Sequence, residues 1–155
     1  MYRWLVYFHI AGAFFFLTAH GVSIAVALRL RNERDRERIR TLLALSGSST
    51  PFMWGGLFVL LAGGIAAGFA GRWWGSGWIW VSLVLLISIS ASMFPLATTY
   101  YRRVGDKTGF RPSGAPIASD EEIADLLHSS RPWLLAFIGF GGILAILFLM
   151  IFKPF

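Results

Sequence analysis

The chain has 155 residues, of which 56% are hydrophobic and only 14% are charged, and its net charge is +6. A soluble domain carries about a quarter charged residues, so the composition excludes an ordinary soluble fold and leaves no room for a soluble catalytic domain. The basic residues flank apolar runs, which argues against nucleic-acid binding. The absence of cysteine excludes disulfides, thiolate metal sites and covalent c-type haem attachment.

Four apolar segments follow one another along the chain, and each is long enough to cross a bilayer. They cover residues 4–28, 51–71, 77–99 and 132–152, and none contains Asp, Glu, Lys or Arg. A membrane-spanning helix needs about 20 apolar residues. The sequence therefore predicts an all-α fold, a polytopic membrane protein built as one bundle of four transmembrane helices. The first segment is not expected to be a cleaved signal peptide, because it is too long and arginines follow it.

Two connecting loops contain most of the basic residues. Loop 29–50 has six arginines and loop 100–131 has five lysines and arginines, which leaves three of the 14 for the other side of the membrane. Short loops rich in Lys and Arg stay in the cytoplasm. We therefore expect both loops to be cytoplasmic, both termini to lie outside the cytoplasm, and the protein to be a multi-pass component of a bacterial inner membrane.

Each basic loop also contains a helix signal. The first loop alternates charge sign and is expected to continue the first helix beyond the membrane, with i,i+4 pairs on a solvated face. In the second loop, Ser119 and Glu122 have the spacing of a capping box. The helix that they begin has an apolar stripe of Ile123, Leu126 and Leu127. We expect this short helix to pack under the bundle, and the alternative is that it lies on the membrane or on a partner.

Small and polar residues predict how the membrane helices pack. Glycines and alanines in the second segment, including Gly64 and Gly68, favour close approach between helices, because lipid offers no hydrophobic drive for association. The third segment has a polar stripe that is expected to face the inside of the bundle. Its members are Ser88, Ser92, Pro95 and Thr99.

His9 and His20 are the main candidate functional residues. An ionisable side chain inside a membrane span is a functional hypothesis by default. The two are 11 residues apart, so they lie within about 20° of one helix face but about 16 Å apart along the axis. They therefore cannot ligate one metal ion or one haem. Depth in the membrane places Met93 near His20 and Met150 near His9 as second ligands, and Gly68 near His9 as clearance for a porphyrin edge. His/Met pairs bind haem iron and also suit copper.

The alternative for the same residues is simple packing. His20 would then hydrogen-bond Ser88 or Ser92, His9 would reach Ser82 or interfacial water, and the methionines would be adaptable core filler. A third histidine, in the second basic loop, is expected to be solvated.

The first segment also carries a resemblance to a known family. Its sequence from Leu5 to Ala13, LVYFHIAGA, followed by a basic loop and three further apolar segments, resembles the small four-helix membrane proteins related to the copper-resistance CopD domain. Those proteins often open with an apolar helix that carries His and then Gly-Ala. The resemblance implies a four-helix bundle and a haem or copper connection for His9. The second helix lacks the histidine of a metal-handling protein, which favours a member that does not transport ions.

The sequence contains no carboxylate within a span, which disfavours a proton relay or a cation-coupled carrier. It also contains no hydrolase triad, no metalloprotease motif and no nucleotide loop, so an enzyme is disfavoured. The first functional hypothesis is a non-catalytic subunit or accessory component of a larger membrane complex, of the electron-transfer kind. Its partners would be the bilayer and either other membrane subunits or a second copy. The alternatives are a haem b or chlorophyll-type cofactor protein that uses His9, His20 or both, and a small copper or solute carrier.

Overall fold

The computed structural model describes residues 1–155 and consists of four long helices and one short one. The long helices are α1 (Tyr2–Leu30), α2 (Arg36–Gly71), α3 (Gly77–Lys107) and α5 (Arg131–Phe152). The short α4 (Asp120–Leu127) lies between α3 and α5, and a 3-10 turn at 73–75 joins α2 to α3. Each long helix has the length and apolar composition of a membrane span. The predicted all-α bundle of four transmembrane helices is confirmed.

The alternating charges after α1 belong to α2. The expectation that they continue the first helix is wrong, because α1 ends at Leu30 and a new helix begins at Arg36. The Asp35 side chain caps this helix, since its carboxylate accepts hydrogen bonds from the backbone N–H groups of Glu37 (2.8 Å) and Arg38 (3.2 Å). A capping carboxylate satisfies donors that a helix start leaves unpaired. The connection between the first two membrane helices is therefore only a few residues long.

Helices α1 and α2 form the closest pair, and glycines make this possible. A Cβ atom built on Gly56 would lie 2.5 Å from the backbone nitrogen of Phe16, and one on Gly63 would lie 2.7 Å from that of His9. A Cβ on Gly12 would likewise collide with the backbone of α2 at Leu60. We call this glycine-lined contact between α1 and α2 the seam. It confirms the close packing that the small residues predict.

Helices α3 and α5 form the second pair. Ile89 of α3 packs directly on the backbone at Gly142 of α5, and Met93 packs on Gly139. The two pairs meet mainly through α1 and α5, whereas α2 and α3 scarcely touch along their length although they are consecutive in the chain. This arrangement leaves a gap between α2 and α3.

The largest buried core lies at the end of the bundle where the basic residues 29–40 and 102–131 gather, which we call the basic end. Ile123 and Leu127 of α4 are buried there among side chains of α1, α2 and α3, so the prediction that α4 packs under the bundle is confirmed. Ser119 caps α4 by accepting from the N–H of Glu122 (3.2 Å). The carboxylate of Glu122 pairs with Lys107 (3.3 Å).

The polar stripe on α3 faces outward, so the expectation that it lines the interior is wrong. Ser88, Ser92 and Pro95 are exposed on the surface of the bundle. Ser92 needs no partner on another helix, because its hydroxyl donates to the carbonyl of Ile89 (2.9 Å) one turn earlier. The face of α3 that meets α5 is instead the one that carries Ile89 and Met93.

Candidate functional site

A cavity of about 540 Å³ lies between the two helix pairs, where α2 and α3 separate. All four long helices contribute to its wall, and cofactor and ligand sites typically measure about 300–1,000 Å³. Most of the wall is apolar. Its polar and charged members are His20, Ser23, Ser46, Thr50, Ser90, Thr98, Tyr101 and Arg102.

His20 projects from α1 into the wall of this cavity. Its imidazole stacks on the ring of Phe16, one turn earlier, with the ring centroids 5.6 Å apart and an interplanar angle of 9°. The predicted hydrogen bond to Ser88 or Ser92 does not form, because both serines lie on the outer face of α3. The Nε2 atom of His20 packs instead against Gly139 of α5.

Met93 meets His20 at Gly139 of α5. A Cβ atom placed on Gly139 would lie 3.0 Å from Nε2 of His20 and 3.6 Å from Sδ of Met93. Both side chains therefore pack against the backbone of α5 at Gly139, which has no side chain to displace them. His20 and Met93 therefore lie at the same level of the bundle, and their role as ligands stays a prediction.

His9 lies in the seam, outside the cavity wall. Its Nδ1 is 2.8 Å from the carbonyl oxygen of Leu60 on α2, and because a carbonyl only accepts, Nδ1 carries the hydrogen. The ring also lies against Gly64. The predicted alternative partner, Ser82, instead donates to the carbonyl of Trp78 (2.8 Å). The contacts of His9 are thus those of a residue that ties α1 to α2.

The two residues proposed to accompany His9 are placed elsewhere. Gly68 faces the indole of Trp74, whose Nε1 would lie 3.3 Å from a Cβ on Gly68. The expected porphyrin clearance beside His9 is therefore wrong, since the glycine at its ring is Gly64, one turn earlier. Met150 packs against a cluster around Trp78 at the end of the bundle opposite the basic end, and its pairing with His9 stays a prediction.

The remaining histidine and the acidic residues form no site of their own. His128 is exposed, and its Nδ1 is 2.7 Å from the carbonyl of Ala124 at the end of α4. No group of three or more His, Cys, Asp or Glu side chains is positioned to hold a metal ion. The candidate metal-binding atoms at the cavity are therefore the imidazole nitrogens of His20 and the thioether sulfur of Met93.

Sequence reasoning missed the polar residues at the basic end of the cavity. Tyr101 donates its hydroxyl to the carbonyl of Ser23 (2.6 Å), and Ser46 donates to the hydroxyl of Ser23 (3.2 Å). Ser46 was assigned to a loop, but it lies within α2 and is buried. The sequence signal was the run of small residues 46–50 directly before the second apolar segment. It lies within the helix that begins after Asp35 and continues into that segment.

These features define the class of the protein: an integral membrane protein with a four-helix bundle around an apolar cavity. The sequence model of a family described as "Predicted integral membrane protein (DUF2269)" matches residues 3–154, and the chain belongs to this family. No curated protein and no solved structure matches the chain significantly. Nothing in these comparisons supports the relationship to CopD that the first helix suggested.

Proposed function

We propose that the protein holds haem b in the cavity between its helix pairs, and that it works as a cofactor-carrying accessory subunit of a membrane electron-transfer assembly. His20 is the proposed axial ligand and Met93 the second ligand. The observation that carries the proposal is that His20 Nε2 and Met93 Sδ both lie against Gly139, on the wall of the 540 Å³ cavity.

The chemistry of these two side chains suits a cofactor inside a membrane. A neutral imidazole and a thioether carry no charge that the bilayer would penalise, and together they form an established axial pair for haem iron. A copper ion would also accept both donors. The size and apolar lining of the cavity favour a flat macrocycle over a bare ion, because an ion leaves most of that volume unfilled.

The proposed role as a subunit rests on how little of the chain lies outside the membrane helices. The short α4 is committed to the core of the basic end, and no cluster of catalytic or metal-binding side chains lies beside it. The outer faces of the helices are apolar and rich in phenylalanine, which suits both lipid and neighbouring membrane helices. Other membrane subunits or a second copy of the chain are the proposed partners.

The test is the absorption spectrum of the gently solubilised protein, recorded oxidised and after addition of dithionite. We expect a Soret band whose α and β bands sharpen on reduction. Met93→Leu should retain the pigment but lose the spectrum of a six-coordinate haem, because the thioether is one of the two proposed axial ligands.

Met150→Leu is the matched control, since this methionine lies far from the cavity, and it should keep the parental spectrum. Long-wavelength bands that dithionite does not change would indicate a chlorophyll-type pigment instead. A colourless protein that stays colourless when haem is supplied would overturn the proposal.

A further inference from the structure

Arg102 is the one cationic side chain in the wall of the cavity, and the wall contains no Asp or Glu. The guanidinium is exposed and belongs to neither ion pair of the structure, which are Arg36 with Asp120 and Lys107 with Glu122. Asp106, one turn further along α3, is exposed and makes no ion pair with it. Arg102 is thus a free cation at the basic end of an otherwise uncharged cavity.

Arg102 lies toward the basic end of the cavity. It follows Met93 by nine residues on the same helix, which corresponds to about 14 Å along the axis and to about half a turn around it. Tyr101 lies between them in the wall, but its hydroxyl is already donated to Ser23. The wall therefore contains two neutral metal donors, and one unpaired cation that lies nearer to the basic end.

A guanidinium with no protein partner is well suited to bind a carboxylate. Its planar fork of donors matches a carboxylate and can bind it with two parallel hydrogen bonds. Haem b has this group at one edge only, where its two propionates lie, and the rest of the macrocycle is apolar. With the iron at His20, the propionate edge can point toward the basic end.

We infer that Arg102 binds the propionates of the porphyrin, so that the cavity selects the free acid and orients this edge toward the basic end. This inference rests on the proposed function. It gives the same ligand a second contact, which is ionic, through a residue that does not bind the iron.

The test compares haem b with its dimethyl ester, in which both carboxylates are uncharged. The full-length protein, prepared without haem in an uncharged detergent, is titrated with each porphyrin, and binding is followed at the Soret band. We expect the parent protein to bind the free acid about tenfold more tightly, since a charge-assisted hydrogen bond contributes on this order.

The variants separate the carboxylate contact from general effects of charge. Arg102→Gln should bind both porphyrins equally, and Arg102→Lys should keep part of the preference because it keeps the charge. Arg103→Gln is the matched control: this neighbouring arginine is exposed and outside the cavity wall, so the tenfold preference should remain. Circular dichroism of all variants checks that the helices are intact.

The outcomes distinguish this inference from the proposed function. Equal binding of the two porphyrins by the parent protein, or a preference that survives in Arg102→Gln, would overturn the role of Arg102 and leave haem binding standing. If the parent protein does not change the Soret band of either porphyrin, the proposed function fails and this inference fails with it.

Discussion

The seam between α1 and α2 and the gap between α2 and α3 show two ways in which the same helix meets its neighbours. In the seam, glycines bring the two backbones into contact. At the gap, α2 presents Trp54 and α3 presents Phe94, and their ring centroids are 6.3 Å apart in an edge-on arrangement. Both rings also line the cavity. Small residues on one face of α2 thus accompany direct backbone contact, and large rings on another face accompany the gap.

The two histidines of α1 experience this difference directly. His9 lies in the seam, where the carbonyl of Leu60 satisfies its Nδ1. His20 lies in the cavity wall, where its ring stacks on Phe16 and makes no hydrogen bond to the protein. Although they share a residue type and nearly a helix face, His9 ties α1 to α2 and His20 lines the cavity.

The largest expected effect comes from adding volume to the seam. Gly56→Ala places a methyl group 2.5 Å from the backbone nitrogen of Phe16. Because a backbone atom cannot move aside as a flexible side chain can, the two helices must separate. We expect a loss of about 1–3 kcal/mol in the free energy of unfolding, measured by circular dichroism during titration with sodium dodecyl sulfate.

Gly55 provides the control for this substitution, because a Cβ there has no atom within 4 Å. Gly55→Ala should unfold like the parent protein or slightly later, since alanine favours a helix over glycine. Equal destabilisation by both substitutions would mean that the seam is not the tight contact described above.

A smaller effect is expected where α5 meets the cavity. Gly139→Ala introduces a methyl group 3.0 Å from Nε2 of His20 and 3.3 Å from the terminal methyl of Met93. Both side chains are flexible, so stability should change little, but the methyl group displaces both of them from their positions in the cavity wall. We expect haem affinity to fall about tenfold, which corresponds to about 1.4 kcal/mol, as measured by spectral titration.

Gly141, on the same helix, faces open space, and Gly141→Ala should leave haem affinity unchanged. An unchanged affinity in Gly139→Ala as well would argue that the ligand does not use the point where His20 and Met93 meet.

Much of the fold could be predicted because its signals are local. Span length follows from the run of apolar residues, and α4 follows from Ser119 and the stripe behind it. The meeting of His20 and Met93 also followed, since antiparallel helices bring residues of equal depth together. Which side of the membrane the basic end faces stays a prediction from its charge.

The errors arose where neighbouring contacts decide the outcome. The alternating charges are compatible with a continuation of α1 and also with the start of a new helix. The cap at Asp35 shows that they belong to α2. The serine stripe on α3 was assigned to the interior without knowledge of which face α5 covers. Gly68 was placed one turn from its true level because depth was counted without the exact start of each helix. Arg102 was missed because it was counted only as a loop charge.

The central claim is that His20, and not His9, binds the cofactor. The most direct measurement is the haem content per chain of His9→Ala and His20→Ala, purified side by side with the parent protein and with His128→Ala as a surface control. The account predicts that His20→Ala loses the Soret band. His9→Ala should keep it while unfolding about 1 kcal/mol more easily, because a hydrogen bond to Leu60 is lost. Loss of the band in His9→Ala together with its retention in His20→Ala would contradict the account.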